Sequence, residues 1–490
     1  MTEPQDTAAN ERDTGTTAET ATDTTASAPL AVVGIGASAG GLAAFKQFLA
    51  AVPADTGLAF VLVPHLDPSH QSLMVELLAR HSILPVCEAA DDMTLTADRV
   101  YVIPPGSYLT ISTGLLKLTA IPEPPSHLTG IDLFLRSLAD AYAERAIGIV
   151  LSGTGSHGTA GLQAIKAHGG LALAQDPGTA EFAQMPQSVI NAGLADYVLA
   201  PEAMPNVLID YTTHASRSGS WTPLPENGQP DELVRIMALL HARTRYDFRG
   251  YRKKMLLRRI QRRMDICHIE TLAGYLERLQ SDTKEHERLF RDLLIGVTSF
   301  FRDKEAFEVL EQQVINPLLD RNDPDTPVRV WVPGCSTGEE AYSIAMLLLE
   351  GFWRRQRPFN AQIFATDIDE FALETARKGR YPESIANDVS AERLKRFFIG
   401  SDSHYQVNKQ LREAVVFAPQ NLISDAPFSR MDLISCRNLL IYLETTVQRK
   451  IIALFHFALN EDGHLLLGSS ESVGKHAELF ATVSKNGGCT

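Results

Sequence analysis

The sequence predicts an α/β protein: two three-layer domains, each a parallel sheet between helices, with a helical module between them. Three observations predict it. Near the start, short apolar runs ending in Gly or Pro alternate with stretches of helical period. The same alternation resumes from Pro327. The intervening residues 232–295 carry helical periodicity with no strand signal. A chain of 490 residues and 53.7 kDa has room for roughly two to four such units.

Taken in order, residues 1–28 contain no Val, Ile, Leu or aromatic residue, so nothing there offsets the entropy of ordering and a disordered acidic tail is expected. Residues 29–210 hold the first strand candidates, LAVVGIG (30–36), LAFVLVP (58–64) and AIGIVLSG (146–153), separated by helical stretches such as GGLAAFKQFLAAV (40–52). Residues 211–231 are polar with Pro and Gly clusters and read as a linker. Residues 232–305 form the helical module. Within it, residues 243–263 hold ten Lys or Arg against the single acid Asp247. Leu256, Leu257, Ile260 and Met264 fall at helical spacing, so one face is expected to pack while the Arg-rich face meets water. Residues 306–490 make the second α/β domain, with strands at VRVWVPG, AQIFATD, VVFAPQN, MDLISC and HLLLGSS.

The formal net charge of -14 argues against nucleic acid as a partner. No apolar run approaches the ~18 residues of a membrane span, and the N-terminus lacks a basic segment followed by an apolar one, so a cytoplasmic chain without membrane insertion is expected. The five cysteines are scattered with no C-x-x-C pair, which predicts neither disulfides nor a metal site.

Two segments carry chemistry. The first strand runs into GIGASAGG (34–41) and then a helix, a turn that exposes backbone N–H groups. A dinucleotide loop fits poorly, because the third Gly is one position late. Ser38 instead sits where a strand-to-helix turn would present a nucleophile, or simply a helix cap. His65 follows a second strand and the Gly153–Gly158 turn a third. Ligands meet the carboxyl ends of strands in an open parallel sheet, so these three can converge. A Ser, a His base and a preorganised N–H pair suit acyl transfer. In the second segment, VRVWVPGCSTGEEAYSIAM (328–346) is strand, Gly turn and helix, and the next strand ends at Asp367. That arrangement sets a ribose against the acid. Glu339 and Glu340 at the turn would repel a pyrophosphate and suit a cationic ligand, a description that S-adenosylmethionine meets.

Residues 30–209 resemble the chemotaxis protein-glutamate methylesterases (CheB), through G-A-S-x-G-G, a His-containing loop, G-x-G-x-x-G and a late Met-Pro segment, AQDPGTAEFAQMPQSVI. The resemblance implies Ser38 as nucleophile, His65 as base, and backbone amides near Ala39 and Thr154 holding the oxyanion. Where that family has an Asp, this chain has His157. A neutral imidazole brings no negative charge to orient and stabilise the base, so an impaired esterase is expected unless Asp67 or Asp176 substitutes. Residues 232–480 are similar to the chemotaxis receptor methyltransferases (CheR), through LIGVTSFFRD (294–303), RYP (380–382), APQNL (418–422) and ISCRNLLIYL (434–443). That resemblance implies a Rossmann-like domain binding S-adenosylmethionine through Thr298, Arg302, Glu340, Asp367, Asn421, Leu422 and Asn438, with Arg302 and Tyr442 orienting the acceptor or the cofactor. It further implies methyl-accepting chemotaxis receptors as partners, docked by the basic helix, and a small insertion between Tyr381 and Val415, which in relatives can bind a receptor tail although this sequence carries no specific signal for that. After AELFATVSK relatives continue into an aromatic-containing strand at the sheet edge, which this sequence is expected to lack. Gly296 stands where the family often has Asn. A chain that both adds and removes methyl esters is the leading expectation. An active transferase whose esterase domain serves for docking, and a scaffold with two degenerate sites, are the alternatives.

Overall fold

The computed structural model describes residues 27–64, 73–121, 130–219, 221, 231–294, 296–321, 325–401 and 404–484. Nearly all of the expected tail, and residues 220 and 222–230 of the expected linker, lie outside them.

The first domain runs β1 (Ala31–Ala37), α1 (Gly41–Ala51), β2 (Leu58–Pro64), α2 (Met74–Ala79), β3 (Val86–Glu88), β4 (Arg99–Val102), a hairpin of β5 (Ser107–Ser112) and β6 (Leu115–Ala120), α3 (Gly130–Tyr142), β7 (Ala146–Val150), α4 (Thr159–Ala167), β8 (Leu171–Gln175), α5 (Gln184–Asn191), β9 (Tyr197–Leu199) and α6 (Met204–Arg217). Seven strands pair in the order β3-β4-β2-β1-β7-β8-β9, every pair parallel. β1 and β7 are buried along their whole length, which is why they read as continuous apolar runs. One face of the sheet packs on Phe134, Leu135, Leu162 and Met185, the other on Phe45, Phe48, Leu208 and Tyr211. α3 lies so close to β1 that a Cβ on Gly36 would stand 2.3 Å from the Ile131 side chain.

The linker expected from residue 211 begins later. α6 continues to Arg217 with Tyr211, Thr212 and Ala215 buried. Thr212 hides its polarity by donating its hydroxyl to the Leu208 carbonyl at 2.8 Å.

The helical module comprises α7 (Asp231–Thr244), α8 (Lys253–Ile266), α9 (Leu272–Ser281) and α10 (Thr283–Leu294) around Leu240, Phe248, Ile260, Tyr275 and Leu289. Thr271 caps α9, its hydroxyl accepting from Gly274 N–H at 3.1 Å. Here the structure corrects the expectation of a solvated basic face. Arg259, Arg262 and Arg263 are buried, with exposures of 7%, 4% and 4%. Arg263 makes a two-pronged pair with Glu285 inside the module, at 2.8 and 2.7 Å. Arg259 and Arg262 turn to the first domain. Arg259 donates to the carbonyls of Lys166 and Ala167 at 2.6 and 2.7 Å, and Arg262 to that of Gly170 at 2.9 Å. The last carbonyls of α4 lack partners within the helix and lie at its negative end, so they suit guanidinium donors. Arg262 also pairs with Asp196 and Asp292, and Lys166 reaches the same two carboxylates at 3.1 and 3.5 Å. Two cations and two anions, all nearly inaccessible to water, thus close the joint between the domains. Periodicity identifies the apolar stripe of a helix but cannot say whether a charged face meets water or a complementary surface.

The second domain adds α11 (Lys304–Val309), α12 (Asn316–Arg321), β10 (Val328–Pro333), α13 (Glu339–Arg354), β11 (Ala361–Asp367), β12 (Arg380–Pro382), β13 (Phe398–Ser401), β14 (His404–Val407), β15 (Val415–Pro419), β16 (Met431–Cys436) and β17 (Leu459–Leu467). The five-stranded sheet has the order β15-β11-β10-β16-β17, all parallel, and β12-β14-β13 form a small antiparallel sheet inserted before β15. In each main sheet the order of strands reverses at one place, beside β1 and beside β10. Ligands bind at the carboxyl ends of strands at such a switch point. Among the described residues no helix is long and apolar enough to cross a membrane, and no three His, Cys, Asp or Glu side chains form a group that could hold a metal ion.

Candidate functional sites

Ser38 follows β1 directly. Gly40, at φ 72, makes the sharp turn into α1. The neighbouring strand end clamps this turn. Ser38 N–H donates to the Ser152 carbonyl at 3.0 Å, and the Ser152 hydroxyl donates to the Ala39 carbonyl at 2.9 Å. Gly153 lies against the nucleophile position: a Cβ there would stand 3.0 Å from Ser38 Cβ and 2.0 Å from Met185 Sδ, so no larger residue fits. The N–H groups of Gly153 and Gly155 are engaged with the Phe182 carbonyl and Gln184 Oε1. Those of Ala39 and Thr154 have no acceptor among the described residues, which leaves them free for a ligand oxygen. Ser38 opens on a cavity of 420 Å³ whose lining includes Gly41, Lys46, Met74 and Glu181.

His65 and Asp67 lie outside the described residues. The register pairs Ala37 with Pro64, the residues immediately before Ser38 and His65. His157 sits on the turn between β7 and α4. The point where a Gly155 Cβ would stand is 3.4 Å from His157 Nε2 and 3.8 Å from a carboxylate oxygen of Glu383, which belongs to the second domain. Asp176 is occupied with its own turn, accepting from Gly178 N–H at 2.9 Å. The carboxylate that does line the Ser38 cavity is Glu181. It lies within the AEFAQMP segment, whose Met and Pro draw attention away from it.

The second cavity, of 280 Å³, opens at the ends of β10, β11 and β16. It brings together Thr298, Arg302, Glu340, Asp367, Asn438 and Tyr442, all expected from sequence. Asn421 and Leu422 are not part of its lining. Asn421 spends its side-chain oxygen on Ile423 N–H at 3.0 Å, and Leu422 packs into the apolar layer around Trp331. The preceding Gln420 still touches the site, donating its N–H to the Asp367 carbonyl at 3.0 Å. Arg437 completes the lining and was not singled out from sequence, although it stands next to Asn438 in a quoted motif.

Backbone strain gathers here. Phe301, Asp303, Ser336 and Asn438 all take positive φ, between 47° and 61°, a conformation L-residues adopt at a cost of roughly 1 kcal/mol or more. Hydrogen bonds hold the strained turns. Asp367 accepts from Ser336 N–H at 2.7 Å and Asp369 N–H at 2.9 Å. Glu471 accepts from Asn438 N–H at 2.8 Å. Arg437 donates to the Arg302 carbonyl at 2.9 Å, and Arg302 to the Val297 carbonyl at 2.6 Å.

The electrostatics are those of a site for a cationic, zwitterionic ligand. Burial pushes the carboxyls of Glu340 and Asp367 above their usual range; Arg437 opposes this at Glu340 and backbone N–H groups oppose it at Asp367. A ligand cation beside Glu340 would favour its ionised form. Each Asp367 oxygen accepts one backbone bond and keeps a lone pair for a ribose hydroxyl. Arg437 Nε is buried without an acceptor among the described residues, a donor suited to a ligand carboxylate. S-adenosylmethionine has these three parts, so the residues present fit it.

Glu339, next to Glu340, is pushed up to about 7 by burial, although Thr337 donates its hydroxyl at 2.6 Å. The folded chain keeps this proton to about pH 7, whereas the unfolded chain releases it near 4.5. Its contribution to stability is therefore fully present below the unfolded value and is lost as pH rises through that window. Glu339→Gln is expected to flatten the fall and to be more stable than wild type at pH 8 by about 1–3 kcal/mol. Denaturation curves at pH 5 and pH 8 check this; an unaltered slope in the variant would exclude Glu339 as its source.

The fold and the two cavities define a chain that joins a serine-hydrolase-type α/β domain to a methyltransferase-type one. Comparison with known proteins makes the assignment specific. The CheB methylesterase family matches residues 33–208, the CheR methyltransferase all-alpha domain residues 231–294, and the CheR methyltransferase SAM binding domain residues 296–489. The chain belongs to the CheB methylesterase and CheR methyltransferase families. It is 39% identical to an uncharacterized 104.1 kDa protein of Rhodobacter capsulatus over 84% of this chain and 45% of that protein, so it spans less than half of that relative's length. It is 30% identical to chemotaxis protein methyltransferase 2 of Vibrio cholerae over 51% of this chain and 88% of that one. The crystal structure of the Thermotoga maritima CheB methylesterase catalytic domain matches 36% of this chain and 97% of that one, with 30% identity and a TM-score of 0.34.

Proposed function

We propose that this chain transfers methyl groups from S-adenosylmethionine to glutamate side chains of chemotaxis-type receptors, and that its first domain hydrolyses such esters with activity lowered by His157. The observation that carries the transferase reading is the convergence of Thr298, Arg302, Glu340, Asp367, Asn438 and Tyr442 on one strained cavity at the switch point of the sheet. Asp367 would hold the ribose, Glu340 the cationic part and Arg437 the carboxylate of the cofactor, with Thr298 and Asn438 beside them. When bound, S-adenosylmethionine supplies an electrophilic methyl group on its sulfonium. The acceptor glutamate, with a pKa near ~4.3, is already ionised and requires no base. The protein's task is to align and desolvate it. Arg302 and Tyr442 line the cavity and supply a cation and a phenol for that alignment. Arg302→Ala is expected to lower methyl transfer to a receptor fragment roughly 10- to 100-fold. A normal rate in that variant would remove Arg302 from the mechanism.

In the first domain, Ser38 would attack the ester carbonyl while His65 takes its proton, and the free amides of Ala39 and Thr154 would hold the oxyanion. A second reading is favoured by His157 together with the buried joint at α8: the esterase domain serves chiefly as a docking platform for an active transferase. Methanol release from methylated receptor separates the two. Calorimetry with S-adenosylmethionine tests both against a scaffold with no working site.

A further inference from the structure

The cavity assigned to the transferase is not lined by the transferase alone. Ala167 and His168, at the C-terminal end of α4, form part of its wall together with Met255, Arg259 and Tyr442. We propose that the esterase domain supplies the acceptor-side wall of the methyl-transfer site, with Ala167 and His168 as the residues that select which acidic segment enters. This rests on the transferase reading above and adds to it a specificity edge contributed by the other domain.

Placement gives the first argument. The donor side of the cavity is fixed by Ser336, Asp367 and Asn438, which come from the carboxyl ends of the sheet. Arg259 and Tyr442 lie within electrostatic reach of each other, and Arg259 bonds to the Ala167 carbonyl at 2.7 Å. The α4 terminus therefore borders the half of the cavity that holds Tyr442.

Rigidity gives the second. A wall selects only if it stays in place, and this one is pinned from several directions. Lys166, Asp196, Arg262 and Asp292 form the buried joint, with side-chain exposures of 6%, 1%, 2% and 3%. Gln163 Nε2 donates to the Gly296 carbonyl at 3.1 Å, beside the cavity, and the Tyr197 hydroxyl donates to the Ile266 carbonyl at 2.9 Å. Separating the domains would expose Arg259 and Arg262 and break these bonds together.

Chemistry gives the third. His168 is 41% exposed at the rim, its Nδ1 facing the Ala164 carbonyl at 2.9 Å and its Nε2 facing Asp140 at 3.3 Å. Just before Met255, which lines the cavity, Arg252 and the first residues of α8, Lys253 and Lys254, are exposed to water. An entering segment passes between a cationic helix edge and the blunt end of α4. The ligand that fits is an acidic peptide segment whose residue facing Ala167 is small.

The test uses the full-length chain, tritiated S-adenosylmethionine and a receptor cytoplasmic fragment. Ala167→Trp fills the wall and is expected to raise KM for the fragment at least tenfold, with the dissociation constant for S-adenosylmethionine, read by calorimetry, within twofold of wild type. His168→Ala, a rim change that keeps the backbone cap of α4, is expected to shift the same KM at least threefold without moving KM for the cofactor. Wild-type KM for the fragment in both variants overturns the proposal. So does an Ala167→Trp chain that loses the cofactor, since its wall would then border the donor. A wild-type chain that binds S-adenosylmethionine but methylates no fragment overturns the transferase reading, and this inference with it.

Discussion

His157→Asp is expected to raise ester hydrolysis at Ser38 on the order of 10²- to 10⁴-fold, and to leave methyl transfer unaffected. The acid of a Ser-His-Asp system holds the base in the right tautomer and stabilises the imidazolium that forms, and loss of its charge in a serine protease costs about 10⁴ in rate. The slot that the proposed esterase reading assigns to His157 belongs to a turn held by several contacts. Gly155 is fastened to Gln184, Gly153 lies against Ser38, and the amides of Ala39 and Thr154 have no acceptor among the described residues. On this reading the substitution supplies the charge without rebuilding the described part of the turn. Initial rates of methanol release from methylated receptor check this. A vigorous wild type that the substitution fails to improve would mean another carboxylate already does the work, and Glu181, on the lining of the same cavity, is then the group to remove.

The second large effect concerns the joint between the domains. Asp196→Ala is expected to destabilise the chain by roughly 3–5 kcal/mol, because it leaves Lys166 and Arg262 sharing Asp292 alone in a site closed to water. Asp292 displays the strength of this setting: burial would raise its carboxyl, yet Arg262, Lys166 and Arg263 hold it at about 2. Its contribution to stability is present above the ordinary carboxylate range and is lost as pH falls towards 2. Urea denaturation at neutral pH measures the loss. Replacing Lys166 and Asp196 together by apolar residues is expected to recover much of it, because no unpaired charge is then buried. A cost below 1 kcal/mol for Asp196→Ala would show that water reaches the joint.

The two sheets were legible because buried parallel strands carry uninterrupted apolar runs, and because a Gly turn at a strand's carboxyl end marks a site wherever it occurs. Ser38, Glu340 and Asp367 were singled out in this way; Asp367 ends a strand, Ser38 follows one directly, and Glu340 lies in the first turn of the helix after another. Thr298, Arg302, Asn438 and Tyr442 came from the family resemblance instead. What stayed hidden depends on partners far apart in the chain. Arg262 looks like a solvated residue until Asp196 and Gly170 are beside it. Glu181 looks like a loop acid until the turn at Gly40 folds over it. Asn421 illustrates the opposite error: the motif is present, but its side chain caps a local turn. The reach of α6 past residue 211 was obscured because Thr212 counts as polar in composition and is buried in fact.

The joint also bears on how the chain is made. Lys166 and Asp196 come from the first domain, Arg262 and Asp292 from the module that follows. Each contributor is thus electrically balanced before the two meet. As the polypeptide leaves the ribosome, the leading domain folds with no lone charge awaiting a mate, in keeping with the way domains fold as units from the amino end. The closure then waits for residue 292, so the leading domain docks only once the module behind it has been made.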